Sequence, residues 1–127
     1  MPDFILVDTS VWINHLREGD KNLTQLLEQG LVACHPFIVG EIACGSIKNR
    51  NEIINLLNDL PSTEIIDHSD IMGFIENRKI MNKGIGYIDV HLLGSALVSD
   101  TPLWTFDKAL RKIAIQFSIG YDIKLKR

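Results

Sequence analysis

The chain is expected to fold as an α/β domain built on a mostly parallel sheet buried on both faces and flanked by helices. Three observations predict this. Strand-like runs alternate with helix-like segments from one end of the sequence to the other. The strand-like runs, among them Phe4-Ile5-Leu6-Val7 and Leu103-Trp104-Thr105-Phe106, are continuously apolar rather than alternating, the pattern of strands covered on both sides. The length of 127 residues, 46% of them hydrophobic, suits one domain over 1–127 with a full core, and no linker, repeat or low-complexity stretch interrupts it.

Residues 3 to 7 form the first buried strand. A helix follows over about Ser10 to Arg17, and a second over about Asn22 to Gln29, stopped by Gly30. Leu31 to Cys34 reads as a strand. Pro36 opens the next helix, because it lacks a donor that the first helical position does not use; this helix ends near Gly45. Asn51 to Leu60 is helical and closed by Pro61. Glu64-Ile65-Ile66 reads as a strand, and Ser69-Asp70 caps a helix reaching about Asn82, ended by Gly84. Gly86-Tyr87 leads into an apolar helix that ends near Asp100. Leu103 to Thr105 is a strand, Lys108 to Ala114 a helix, and Tyr121 to Ile123 a last strand.

Composition narrows the function classes. Net charge is −3, which does not announce a nucleic-acid binder, but the cations are clustered. Lys108, Arg111 and Lys112 follow Asp107, Arg78, Lys79 and Lys83 precede Asp89, and Lys124, Lys126 and Arg127 close the sequence. If these segments converge they ring an acidic centre; otherwise they are solvated helix faces. No apolar stretch is long enough to span a membrane. The start, Met1-Pro2-Asp3, has no basic region or cleavage site of a leader. Cys34 and Cys44 lack metal-type spacing and read as buried reduced thiols. A cytoplasmic location is the expectation.

Four acids stand where an acid is costly. Asp8 and Asp107 end apolar strands, Glu41 interrupts Phe37-Ile38-Val39 and Ile42-Ala43, and Asp89 opens the apolar helix of Ile88 to Val98. A carboxylate removed from water costs on the order of several kcal/mol unless it is compensated. A divalent cation with oxygen ligands would compensate all four together. In an open parallel sheet, ligands bind outside the carboxyl ends of the strands. Asp8 and Asp107 lie there directly, and Glu41 and Asp89 are expected there from positions near helix starts. Each acid also has a plain alternative. Asp8 and Asp107 can cap the helices that follow them, and Asp89 suits a helix N-terminus. Glu41 has no cation three or four residues away. Carboxylates holding one or two divalent ions suit phosphodiester hydrolysis, since the metal polarises phosphate and acidifies water. Basic residues at the rim would guide a polyanion.

Four segments then carry a resemblance. Leu6-Val7-Asp8-Thr9-Ser10-Val11-Trp12-Ile13, Val39-Gly40-Glu41-Ile42-Ala43-Cys44-Gly45, Ile88-Asp89-Val90-His91-Leu92-Leu93 and Leu103-Trp104-Thr105-Phe106-Asp107-Lys108-Ala109-Leu110 together resemble PIN-domain proteins. They are most similar to the VapC-type toxins of toxin–antitoxin pairs, in order and over essentially the whole chain. The resemblance implies a three-layer fold and a Mg2+- or Mn2+-dependent endoribonuclease site. In it, Asp8, Glu41, Asp89 and Asp107 are the metal-binding and catalytic residues, and Ser10 and Thr105 supply hydroxyls beside them. It further implies an RNA substrate, a small VapB-type antitoxin, and a homodimer; the basic cluster Lys108, Arg111 and Lys112, just past Asp107, is expected to supply part of the attraction to the RNA backbone. Trp12, Leu16, Leu26 and Leu56 exceed what one helix face needs, and some of them are expected to line an antitoxin groove or dimer interface; Trp12 itself reads as core packing rather than a base-stacking surface.

Two departures stand out. Many PIN domains carry another acid just past the fourth motif, where Arg111, Lys112 and Ile113 stand here, so one metal or two is left open. His35 precedes Pro36 where a Ser or Thr cap is common. The rival readings are a catalytically silent PIN-like module that binds RNA or protein, a phosphoacceptor domain, and a haloacid-type phosphatase. The intact acid set argues against the first. Thr9-Ser10 after Asp8 argues against the others, which need further acids at the first strand. His91, two residues after Asp89, reads as packed on another helix face. His15 and His68 have no ligand spacing, and Trp104 reads as core.

Overall fold

The computed structural model describes residues 3–122. In chain order the elements are β1 (Ile5–Val7), α1 (Thr9–Glu18), α2 (Lys21–Glu28), β2 (Val32–Ala33), α3 (Pro36–Ala43), α4 (Arg50–Asp59), α5 (His68–Arg78), α6 (Tyr87–Val98), β3 (Leu103–Trp104) and α7 (Lys108–Gln116). The strands form a parallel sheet in the order β2-β1-β3, with Leu6 opposite Ala33 on one side and Leu103 on the other. Every strand residue is buried. Because successive strand side chains point to opposite faces, both faces are covered, and helix–sheet–helix layering follows.

The parallel register fixes the functional edge. Val7 pairs with Trp104, so the next residues, Asp8 and Thr105, emerge side by side at the carboxyl ends of β1 and β3. The Asp8 N–H donates to the Trp104 carbonyl at 2.9 Å. The core beneath them contains Trp12, Leu23, Ile38, Ile42, Leu57, Ile71, Leu92 and Leu110, all at 0–1% exposure. Helix α6 is its central element: Val90 through Ala96 are buried without a gap. Gly94 makes that possible, since an added Cβ there would sit 3.0 Å from Ile66 and 3.2 Å from Ile71.

The structure corrects several expectations. Glu64-Ile65-Ile66 is not a strand. The sheet edge is met earlier, where the Cys34 N–H donates to the Pro61 carbonyl and the Thr63 N–H to the Cys34 carbonyl. The Glu64 N–H then turns to Ser99 Oγ at 3.1 Å, drawing the chain off the sheet and leaving Ile65 60% exposed. Helix α5 is capped by Asp67, whose carboxylate accepts from the Asp70 N–H at 2.9 Å. It ends at Arg78 rather than near Asn82, because Lys79 takes a left-handed conformation (φ 54°). The last strand reduces to a parallel bridge between Leu103 and Gly120; Ile123, Lys124, Lys126 and Arg127 lie outside the described residues. Cys34 is buried as expected, but Cys44 is exposed. Trp12 and Leu26 are core residues, at 1% and 7% exposure, so they line no partner surface; Leu56, at 46%, stays available. Trp104 is core, at 3%. No helix among the described residues is long and apolar enough to cross a membrane.

Candidate functional site

The site is built outward from Asp8. It occupies the N-cap position of α1, yet its side chain makes no capping hydrogen bond. Its carboxylate instead accepts two hydroxyls on the same oxygen. Thr105 Oγ1 donates to Oδ2 at 2.7 Å and Ser10 Oγ at 2.9 Å. Each hydroxyl has one proton, so the 3.3 Å approach between Ser10 and Thr105 is a packing consequence of their shared acceptor. Both hydroxyls also accept, Ser10 from the Phe106 N–H at 3.0 Å and Thr105 from the Asp107 N–H at 3.1 Å. The backbone after β3 is thereby tied to Asp8, which is 5% exposed. Oδ1 of Asp8 takes no donor among the described residues.

The other three acids arrive by different routes. Asp107 is the N-cap of α7, its Oδ1 accepting from the Ala109 N–H at 3.1 Å; it is exposed. Capping therefore holds Asp107 at the edge rather than competing with a role there. Asp89 is the third residue of α6 and reaches back to the Gly86 N–H at 3.3 Å, which aims it along the helix start. Glu41 is not near a helix start: it is the sixth of the eight residues of α3. Its Oε1 accepts from Thr9 Oγ1 at 2.6 Å, so α1 and α3 meet at this contact.

Electrostatics shows that the four share one region. Burial lifts the Asp89 carboxyl above the ordinary carboxylate range. The Gly86 N–H pulls the other way, and the charges of Asp8, Asp107 and Glu41 push it up further. Among the described residues, no cation is among the groups that act on it. No three His, Cys, Asp or Glu side chains among the described residues converge closely enough to hold a metal ion. The donor set, carboxylate and hydroxyl oxygens, is that of hard cations such as Mg2+ and Mn2+. Asp8, Glu41, Asp89 and Asp107 are the residues that could close on one.

Sequence reasoning missed two participants, Thr9 and Gly86, and noted His35 only as a departure at a cap position. Thr9 holds Glu41; its only signal is its place beside Asp8. Gly86 orients Asp89 through its backbone, to which side-chain patterns are blind. His35 caps α3 itself, Nδ1 accepting from the Phe37 N–H at 3.0 Å, in place of a Ser or Thr. Burial, with His91 adding to it, holds the His35 imidazole down at about 4, so it is neutral and able to accept. His91 is 2% exposed, packed between Phe37 (4.7 Å) and Tyr87 (4.6 Å), as its helical phase predicts. His15 accepts from the Asp20 N–H and His68 contacts the Tyr87 hydroxyl. Lys108, Arg111 and Lys112 are exposed on α7, immediately past Asp107.

Comparison with known proteins gives the family. A family model described as PIN domain matches residues 5–116. The chain is similar to a protein named Ribonuclease VapC32 from Mycobacterium tuberculosis, in strains CDC 1551/Oshkosh and ATCC 25618/H37Rv. In each case it is 44% identical over 117 residues, which cover 91% of this chain and 94% of the relative.

Proposed function

This chain belongs to the PIN domain family, and on that footing we propose that it is a divalent-metal-dependent endoribonuclease, the toxin of a toxin–antitoxin pair. The observation that carries the reading is the shared field of the four acids. Asp8, Asp107 and Glu41 all act on Asp89 and, among the described residues, no cation does, which is the electrostatics of a cation-binding edge. The similarity to a protein named Ribonuclease VapC32 supports RNA as the substrate.

In this reading Asp8, Glu41, Asp89 and Asp107 hold Mg2+ or Mn2+. When bound, the ion supplies Lewis acidity toward the scissile phosphate and lowers the pKa of water. The chain's own residues do the rest. Ser10 and Thr105 fix one oxygen of Asp8, which leaves Oδ1 for ligation. Thr9 steers Glu41, Gly86 steers Asp89, and the α7 cap steers Asp107. Lys108, Arg111 and Lys112 attract the RNA backbone to an edge that would otherwise repel it. The single PIN domain over 1–127 works in the cytoplasm as a homodimer held in check by a small VapB-type antitoxin. Supporting a partner surface is a groove of about 650 Å3 lined by Ile13, Leu16, Ile47 and Ile53, with Arg17 and Lys48 at its margin.

The test is cleavage of structured RNA by purified protein with Mg2+ or Mn2+ against excess EDTA, run beside Asp8→Asn. The expected result is metal-dependent cleavage by the wild type alone. RNA binding without cleavage in any metal would favour the catalytically silent module instead.

A further inference from the structure

The cations of this chain are not spread evenly. Between Glu76 and Asp89 there is no acid, and the stretch carries Arg78, Lys79 and Lys83; between Asp107 and Asp122 there is again no acid, and the stretch carries Lys108, Arg111 and Lys112. Six of the chain's 13 Lys and Arg thus lie in two acid-free stretches, each abutting an acid of the candidate site. The fold brings the two together. Phe74 of α5 meets Phe117, just past α7, edge-on at 6.3 Å, and the Arg78 guanidinium stacks over both rings, 5.1 Å from Phe117 and 5.9 Å from Phe74. Gly84 approaches the first turn of α7 so closely that a Cβ on it would lie 3.4 Å from Ala109. That contact sets Lys83 and Lys108, its neighbours in sequence, at one junction.

Between these walls lies a small cleft of about 140 Å3, lined by Arg78, Lys79, Lys83, Ile113, Gln116 and Phe117. It is a shaped feature. Ile80 is 4% exposed and anchors the turn. Lys79 and Asn82 take left-handed conformations (φ 54° and 60°), which throw Lys79, Asn82 and Lys83 outward to solvent. Arg78, with its faces occupied by rings, keeps its N–H edge for an anion. At about 100° per residue, Lys112 falls about 40° from Gln116, on the flank of α7 that lines the cleft, Lys108 lies further round toward the helix start, and Arg111 falls roughly opposite Ile113 and Gln116.

We propose that this cleft is the path of a single RNA strand's phosphate backbone leading to the catalytic edge, with Arg78, Lys79 and Lys83 along one wall, Gln116 and Phe117 on the other, and Lys112 on the rim beside Gln116. The proposal rests on the ribonuclease reading and locates its substrate track. The path reaches the chemistry directly. From Lys83 only three residues lead to Gly86, whose N–H holds Asp89, a reach of at most about 10 Å. At its other end the α7 wall begins at Asp107. Arg111, on the far flank of α7, adds to the long-range attraction of the RNA without lining the track.

The experiment measures binding of a short fluorescein-labelled single-stranded RNA by anisotropy from about 50 to 200 mM salt, with Mg2+, in the non-cleaving Asp89→Asn background. Lys79→Gln/Lys83→Gln is compared with the charge-matched control Lys21→Gln/Arg50→Gln. These are exposed residues, and unchanged thermal melting verifies that each variant folds. The track predicts that the first pair weakens binding roughly 10-fold or more near 0.1 M salt and flattens the log–log salt slope by about 1.4, two contacts at about 0.7 each. The control should leave both unchanged, and Arg111→Gln should weaken binding less than Lys112→Gln. If the wild type cleaves RNA while the Lys79/Lys83 pair behaves like the control, the track is wrong and the ribonuclease reading stands. If the wild type neither binds nor cleaves RNA, both fall.

Discussion

Replacing Thr105 with Val tests whether Asp8 is held as a functional carboxylate. Val keeps the size of the side chain and removes one hydroxyl from a residue 3% exposed. The lost hydrogen bond, 2.7 Å to Oδ2 of Asp8, is charge-assisted, and such bonds contribute about 1.5–3 kcal/mol. The Asp107 N–H also loses its acceptor at 3.1 Å; Asp107 is exposed, so water replaces it at little cost. A destabilisation of about 2 kcal/mol is expected. Ser10→Ala removes the 2.9 Å bond to the same oxygen from a half-buried position and is expected to cost about 1 kcal/mol. Together they leave a carboxylate at 5% exposure with no donor among the described residues, so the double variant should exceed the sum of the singles by about 1 kcal/mol or more. Urea unfolding at pH 7 in EDTA measures all three, and RNA cleavage in Mg2+ should fall in each. The reasoning is refuted if Thr105→Val lies within about 0.5 kcal/mol of wild type, or if the double variant is additive and cleaves normally.

Three further outcomes follow from the same geometry. Asp89→Asn should abolish cleavage yet raise the melting temperature in EDTA at pH 7. The folded state lifts the Asp89 carboxyl, so its ionisation costs nothing below its unfolded value of about 3.9 and destabilises as pH rises through the folded value; the gain should shrink as pH falls toward 4, and a variant less stable at pH 7 contradicts this. Lys108→Ala/Arg111→Ala/Lys112→Ala should weaken RNA binding across sequences and flatten its salt slope, with the cleaved sequence unchanged; a shifted cut site would contradict it. The depressed His35 imidazole, at about 4, takes its proton in the unfolded chain first, so stability should drop as pH falls from about 6.5 toward 4. His35→Asn keeps a cap acceptor and should flatten that part of the urea-stability profile; an unchanged slope would reject it.

Much of this was legible because it is written in periodicity and position. The buried runs of β1 and β3 and the acids that end them are set by the parallel register, which places residues after neighbouring strands at one edge. Asp89 at the start of an apolar helix was legible for the same reason. Glu41 was legible as an unpaired acid in an apolar helix, but not its place on α3, because what brings it to the edge is the Thr9 contact between two helices distant in sequence. The strand expected at Glu64-Ile65-Ile66 failed because β-branched residues report fitness for a covered surface rather than hydrogen-bonding partners. Here Ile66 packs beside Gly94 and the backbone turns to Ser99. Of the apolar residues on α1 and α2 that looked surplus to one helix face, Trp12 and Leu26 are core, at 1% and 7% exposure, because a helix wheel does not show which neighbours cover a face. The basic turn before Asp89 and the basic helix after Asp107 were visible as runs; that they form two walls of one cleft needed the Phe74–Phe117 and Gly84–Ala109 contacts.

The most direct test of the central claim is single-turnover cleavage of a labelled structured RNA by the wild type, Asp8→Asn, Asp89→Ala and Asp107→Ala, each with Mg2+, with Mn2+ and in excess EDTA. Four acids that share one field with no cation among them should need a divalent ion to meet a phosphate. Cleavage is therefore expected from the wild type in Mg2+ or Mn2+ and from no variant in any condition. Cleavage that persists in EDTA, or that survives both Asp89→Ala and Asp107→Ala, would contradict the assigned site.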